Sequence, residues 1–203
     1  MILGIDFDNT LVCYDGLFHA AARERGLIPE SVPRSKQGVR DYLRAVGRED
    51  DFTVLQGYVY GPGIRNASPF PYAVEGIRAL LASGAEVCII SHKTRTPILG
   101  PRYDLHQAAL DWLREQHFFA EGMLTPDRVF LEESKEAKAG RIADMGCTHF
   151  VDDLPEFFRL PQFPQDTRRM LFSPQSRNAV SDESWLCFHS WRAICRYCMR
   201  HGD

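Results

Sequence analysis

The chain has 203 residues, enough for one good-sized domain or one domain carrying an insertion. Hydrophobic residues make up 44% and charged residues 25%, and the formal net charge is -3, so nothing points to a nucleic acid polymer or a membrane as partner. No apolar run approaches the roughly 18 residues of a membrane helix, and no basic, cleavable leader precedes the first apolar run, so a cytoplasmic location is the expectation.

In chain order, residues 2–5 read as a short buried strand that ends in Asp6-Phe7-Asp8-Asn9-Thr10. Two carboxylates two residues apart at a strand end suit a metal or phosphoryl site, although an Asx-rich turn has the same composition. About eighty residues then separate this strand from the next, where a single helix would suffice. Residues 14–68 are therefore an insertion, with helical patterns at 17–25, 36–46 and 51–60. Lys36, Arg40, Arg44 and Arg48 recur every four residues, so they share one helical face. That row is either a basic surface for an anionic substrate or a solvated face, and the second reading is the simpler. Gly61-Pro62-Gly63 and Ser68-Pro69-Phe70-Pro71 mark the return.

A helix is expected over 72–83, between Pro71 and Gly84. A strand follows at 87–90 and delivers Ser91, His92 and Lys93. The next helix, 104–117, opens with a box-like Asp104-x-x-Gln107. A strand at 129–131 precedes a helix that Ser134 caps and Gly146 ends. The strand at 149–151 delivers Asp152 and Asp153, and a fifth strand lies at 170–172. Asp153 has a second reading, as N-cap of the short segment 154–158. Near the end, Cys187-x-His189 and Cys195-x-x-Cys198-x-x-His201 have zinc-like spacing. A packed helix with Trp191, Ile194, Cys195 and Cys198 on one face explains these residues better. Short unalternating strands separated by helices predict an α/β fold. The expectation is a doubly wound, parallel, Rossmann-like sheet with a small all-helical cap insertion: a core of residues 1–13 and 69–203 and a cap of 14–68.

In such a sheet, ligands bind beyond the carboxyl ends of the strands. Those ends supply acids from two strands, a hydroxyl from a third, and a lysine at a helix start. That combination suits a divalent cation and a phosphoryl group.

The order Asp-x-Asp-x-Thr, strand-end Ser, Lys, then Asp-Asp resembles the haloacid dehalogenase (HAD) superfamily of phosphohydrolases, over about residues 1–13 and 69–175. The insertion falls where that family carries a small helical cap. The resemblance implies a Mg²⁺-dependent phosphatase acting on a small phosphorylated metabolite. It makes Asp6 the nucleophile that forms an aspartyl-phosphate, and Asp8 the general acid and base. Mg²⁺ would be held by Asp6, the backbone carbonyl of Asp8, Asp152 and Asp153. Ser91 would donate its hydroxyl, together with a neighbouring backbone N–H, to the phosphoryl group, with His92 counted among the phosphate-binding residues, and Thr10 would order Asp8 or the loop. Lys135, in the first turn of its helix, is preferred over Lys138 as the phosphoryl-binding lysine.

Three rival classes make different demands. A two-component receiver wants its acidic pair on the first strand with a lone acceptor on the third, whereas here a second pair, Asp152-Asp153, follows the serine. A non-catalytic phosphate- or metal-binding module would tolerate loss of Asp6 or Asp8, and both are present. Phosphonate chemistry would want an imine-forming lysine in the cap, where only Lys36 is available. Val151-Asp152-Asp153-Leu154-Pro155 is similar to a segment of some nucleotidases in the superfamily, which keeps nucleotides among the expected substrates.

Overall fold

A computed structural model describes residues 1–174 and 184–202. Its main element is a six-stranded, wholly parallel sheet. The strands are β1 (Ile2–Ile5), β4 (Glu86–His92), β5 (Val129–Glu132), β6 (His149–Asp152), β7 (Arg168–Phe172) and β8 (Leu186–Phe188), in the spatial order β5-β4-β1-β6-β7-β8. The expected doubly wound, Rossmann-like α/β fold is therefore present. Two short strands, β2 (Val12–Cys13) and β3 (Ser68–Pro69), form a separate two-stranded sheet. β8 lies at the sheet edge beyond the five strands legible in the sequence. Its three half-buried residues are too few and too lightly covered to stand out as an apolar run.

The chain divides into two compact units. The first contains Met1–Val12, Pro69–Lys93 and Arg114–Asp203. Its core lies around the sheet, with Leu3, Ile5, Ile89, Ile90, Phe150 and Val151 essentially inaccessible. Strands covered on both faces carry unbroken apolar runs, which is why they read clearly. Gly4 sits in the middle of β1 because a Cβ there would lie 2.5 Å from the Phe150 ring and 3.0 Å from the Cys147 Sγ. Helix α4 (Ala73–Ala82) packs on α8 (Trp191–His201), and Gly76 leaves the room that the Cys195 thiol occupies. Trp191, Ile194, Cys195 and Cys198 are the buried face of α8. Burial pushes the Cys195 thiol up to about 11 and, with the neighbouring Cys195, the Cys198 thiol to about 12. Those thiols are core residues, as the packed-helix reading expects.

The second unit contains Cys13–Ser68 and Thr94–Leu113. Helices α1 (Leu17–Glu24), α2 (Lys36–Ala45) and α3 (Glu49–Tyr60) bury Phe18, Val39, Leu43, Phe52, Leu55 and Val59 against one another. Most of helix α5 (Leu105–Glu115) belongs to this unit, where Trp112 Nε1 donates to the Ala67 carbonyl at 2.9 Å. Asp104 caps α5 by accepting from the Gln107 backbone N at 2.9 Å. The Gln107 side chain completes no reciprocal box and turns to Asp111 instead. Lys36, Arg40 and Arg44 lie on α2, but that helix ends at Ala45 and Arg48 is the residue before α3, so the row does not share one helical face, and its arginines are paired locally. Arg40 and Arg44 meet Glu49 at 3.7 and 2.6 Å, Arg48 pairs with Asp51, and Lys36 donates to the Tyr60 hydroxyl at 2.7 Å. These contacts favour the solvated-face reading of the row.

Among the described residues, no helix is long and apolar enough to cross a membrane.

Candidate active site

The chain runs from β1 outward to β4 and β5 on one side, then crosses to β6, β7 and β8 on the other. β1 is thus at the switch in strand order, where the connections diverge and leave a crevice beyond the carboxyl ends. Register brings the right residues to that point. Ile5 lies opposite Ile89 of β4 and Val151 of β6, so Asp6, Ser91 and Asp152 emerge together.

The loop after β1 is held by its backbone. The Asp6 N–H donates to the Val151 carbonyl at 2.9 Å, and the Leu11 and Val12 N–H groups both donate to the Phe7 carbonyl. Asn9 supplies the left-handed residue that this tight reversal needs, with φ 56°, a conformation that asparagine tolerates better than most side chains. Helix α6 (Lys135–Asp144) is aimed from β5 by its cap, in which the Ser134 hydroxyl accepts from the Ala137 N–H at 3.0 Å. Gly146, at φ 61°, ends the following turn.

Asp6, 5% exposed, is the hub of the polar cluster. Its Oδ1 accepts from the Ser91 hydroxyl at 2.9 Å and from Lys138 Nζ at 2.6 Å, and Thr10 Oγ1 makes a long 3.5 Å contact with Oδ2. Lys138 also reaches Asp152 Oδ2 at 2.6 Å. Asp152 Oδ1 accepts from the Leu154 N–H at 2.9 Å. Oxygens of Asp6, Asp152 and Asp153 all lie within 4.8 Å of one another.

Electrostatics in this cluster follow from burial. Desolvation raises the Asp152 pKa to about 6, with Lys138 opposing and Asp6 adding to the rise. Desolvation also raises Asp153 well above the usual carboxylate range, and the charges of Asp152 and Asp6 push it further. Burial works against the Lys138 ammonium, but the charges of Asp152 and Asp6 outweigh it, and its pKa ends up raised. Four acids, Asp6, Asp8, Asp152 and Asp153, share two buried lysines, Lys93 and Lys138, so the fully ionised cluster lacks two positive charges. An all-oxygen set with that deficit fits a hard divalent cation, with Asp6, Asp152 and Asp153 as its side-chain ligands.

The lysine at Asp6 is Lys138 and not Lys135. Lys135, the first residue of α6, is half-exposed. Lys138 lies one turn on, on the stripe that also buries Ala139 and Ile142, so its stem runs inward to the sheet. A helix start does attract anions, but the buried face decides which side chain reaches them.

The His92 side chain turns away from the cluster. β4 alternates, so Ser91 turns inward and His92 outward, where it is exposed. Desolvation together with the Lys138 and Lys135 charges lowers its pKa, and its ring meets the Glu133 backbone. The same alternation turns Lys93 back inward, a residue to which the sequence alone assigned no role. It is 4% exposed, and its Nζ lies 2.7 and 3.0 Å from the two oxygens of Asp8. The signal was available in Ser91-x-Lys93, two residues apart past a strand end, but a strand's length past its last apolar residue is hard to read. The cap reading of Asp153 is not what the structure shows. Helix α7 (Pro155–Phe158) has no side-chain cap, and it is Asp152 that accepts from the following backbone.

No family model and no curated protein matches this sequence. Solved structures do match, at full length. A HAD family hydrolase from Deinococcus radiodurans, with bound phosphate and sodium, is 14% identical over 99% of this chain and 96% of its own, with a TM-score of 0.60. A predicted phosphoglycolate phosphatase from Haemophilus somnus is 16% identical over 97% and 96%, with a TM-score of 0.56. A dehalogenase is 13% identical over 97% and 96%, with a TM-score of 0.57. At these identities the likeness is one of fold, and the fold of this chain is that of the haloacid dehalogenase superfamily hydrolases.

Proposed function

We propose that this chain is a divalent-metal-dependent phosphatase that hydrolyses a small phosphorylated metabolite through an aspartyl-phosphate on Asp6. The observation that carries this reading is the Asp6 carboxylate itself. It is buried at the switch point between a hydroxyl donor, Ser91, and an ammonium, Lys138, with two further carboxylates alongside. A phosphate monoester needs a nucleophile, cationic and hydrogen-bonding groups around a crowded anion, and a proton for its leaving oxygen.

Asp6 Oδ1 is engaged by Ser91 and Lys138, so Oδ2 is the lighter-held oxygen and the one assigned to attack. Attack forms the Oδ2–P bond as the P–O bond to the alcohol breaks. Asp8 protonates the departing oxygen, then takes a proton from the water that cleaves the aspartyl-phosphate. Ser91 and Lys138 donate to phosphoryl oxygens in both steps. Asp6, Asp152, Asp153 and the Asp8 carbonyl would hold Mg²⁺, which when bound supplies positive charge for the carboxylates and the phosphoryl oxygens.

Dehalogenase chemistry also uses a carboxylate nucleophile, but a haloacid has no leaving oxygen to protonate. It also gains nothing from a cluster of unneutralised acids, which would repel its own carboxylate. Asp8 and the Asp152-Asp153 pair therefore favour phosphoryl transfer. The test is a screen with Mg²⁺ over p-nitrophenyl phosphate, sugar phosphates, nucleotides, phospho-acids and a 2-haloacid. Metal-dependent release of phosphate, lost in Asp6→Asn, supports the reading. Halide release without metal, or normal phosphatase turnover by Asp6→Asn, overturns it.

A further inference from the structure

We propose that Lys93 is a positioning residue for Asp8, and that the Asp8–Lys93 pair fits this site to phosphate monoesters with basic, alkoxide-like leaving groups. The proposal rests on the phosphatase reading above and deepens it.

The geometry starts in the sheet. The Lys93 N–H donates to the Glu132 carbonyl at 2.8 Å, which extends the β4–β5 ladder one residue past the end of β4. Lys93 therefore keeps the strand's alternation and turns to the same side as Ser91. Its stem is buried and its ammonium lies 5.3 Å from the centre of the Phe7 ring. Burying an ammonium is unfavourable unless a counter-charge meets it with good geometry. Here both oxygens of Asp8 do so, at 2.7 and 3.0 Å.

With both oxygens engaged, the Asp8 carboxylate has one rotational setting instead of several. The loop beneath it is already fixed by Asn9 and by the hydrogen bonds to the Phe7 carbonyl. Each reacting acid thus has its own lysine: Lys138 for Asp6 and Lys93 for Asp8. The two lysines act at different moments. Lys138 lies where the phosphoryl group is captured, whereas Lys93 touches the group that moves the proton. A proton donor matters in proportion to the basicity of the leaving oxygen. In the first step, a buried lysine that aligns that donor has value only where the leaving group needs protonation, as alkyl phosphates do and acyl phosphates do not.

The test uses the full chain with Mg²⁺ and three probes of increasing leaving-group ability: phenyl, p-nitrophenyl and 2,4-dinitrophenyl phosphate. Lys93→Met is expected to lower kcat/KM, which reports formation of the aspartyl-phosphate and departure of the alcohol, by about 100-fold on phenyl phosphate and by less than about threefold on dinitrophenyl phosphate. A purely structural role would lower all three alike, and that result overturns the proposal, as does no loss at all. If Lys93→Met does not fold, Lys93→Gln keeps a hydrogen bond to one Asp8 oxygen and is expected to give the same ordering with a smaller spread. A flat response from it counts against the proposal. Asp8→Asn separates the two levels. If Asp8→Asn shows the leaving-group dependence and Lys93→Met does not, only the role of Lys93 falls. If Asp8→Asn shows none, the acid–base reading of Asp8 falls first.

Discussion

The lysine at Asp6 illustrates how a single residue's role depends on which face of its helix is buried. Lys135 and Lys138 are equally basic and three residues apart, and only Lys138 reaches both Asp6 and Asp152. Lys138→Met is expected to abolish measurable turnover. It should also lower the melting temperature of the metal-free protein, because losing one partner of a buried ion pair costs about 3–5 kcal/mol. Lys135→Met is expected to retain turnover within about threefold, since a half-exposed side chain is largely screened by solvent. Steady-state rates and thermal melts of the two variants make the comparison. Equal loss in both would return Lys135 to the site.

At the scale of elements, close approach of backbones explains glycines that propensity would disfavour. Gly76 lies within α4, where alanine would ordinarily add about 1 kcal/mol of helix stability. The Cys195 thiol of α8 fills the space a Cβ would take. Gly76→Ala is therefore expected to destabilise by about 1–3 kcal/mol through overpacking. Adding Cys195→Ala should recover much of that loss, which denaturant unfolding of the single and double variants would show as a non-additive cycle. Simple addition of the two effects would mean that the helices separate freely. A second element-scale expectation concerns α6. Ser134→Ala removes the hydroxyl that caps its first turn and should cost about 1 kcal/mol. Because that turn aims Lys138, turnover should fall with it, and a variant that loses stability but keeps full activity would uncouple the two.

For the molecule as a whole, the buried acids tie stability to pH and metal. An unfolded aspartate titrates near about 3.9. In the folded chain Asp152 is raised to about 6, by burial first, and Asp153 is raised well above the usual range. A folded pKa above the unfolded one means that the folded state holds its proton longer. Stability of the metal-free protein should then fall as pH rises from about 4 through 6 and beyond. A divalent cation offsets that repulsion. Added Mg²⁺ should raise the melting temperature, by an increment that grows from pH 5 to pH 8. An increment independent of pH, or one unchanged by Asp153→Asn, would remove these acids as the cause. Much of this was legible in the chain alone. The strands buried on both faces appear as unbroken apolar runs, and their ends carry Asp6, Asp8, Ser91, Asp152 and Asp153 at short, fixed offsets. The cap residue Ser134 and the stop at Gly146 are equally local, because each satisfies backbone groups within its own turn. Three features depended on partners distant in sequence. Lys138 displaced Lys135 because the sheet lies under one face of α6. Lys93 turns inward and the His92 side chain outward because the ladder to β5 carries strand alternation one residue past the end of β4. β8 exists because β7 offers its edge to three half-buried residues. A sequence displays periodicity and end groups, which are local. Which of two neighbouring side chains turns inward is decided by what lies opposite, and only tertiary structure supplies that.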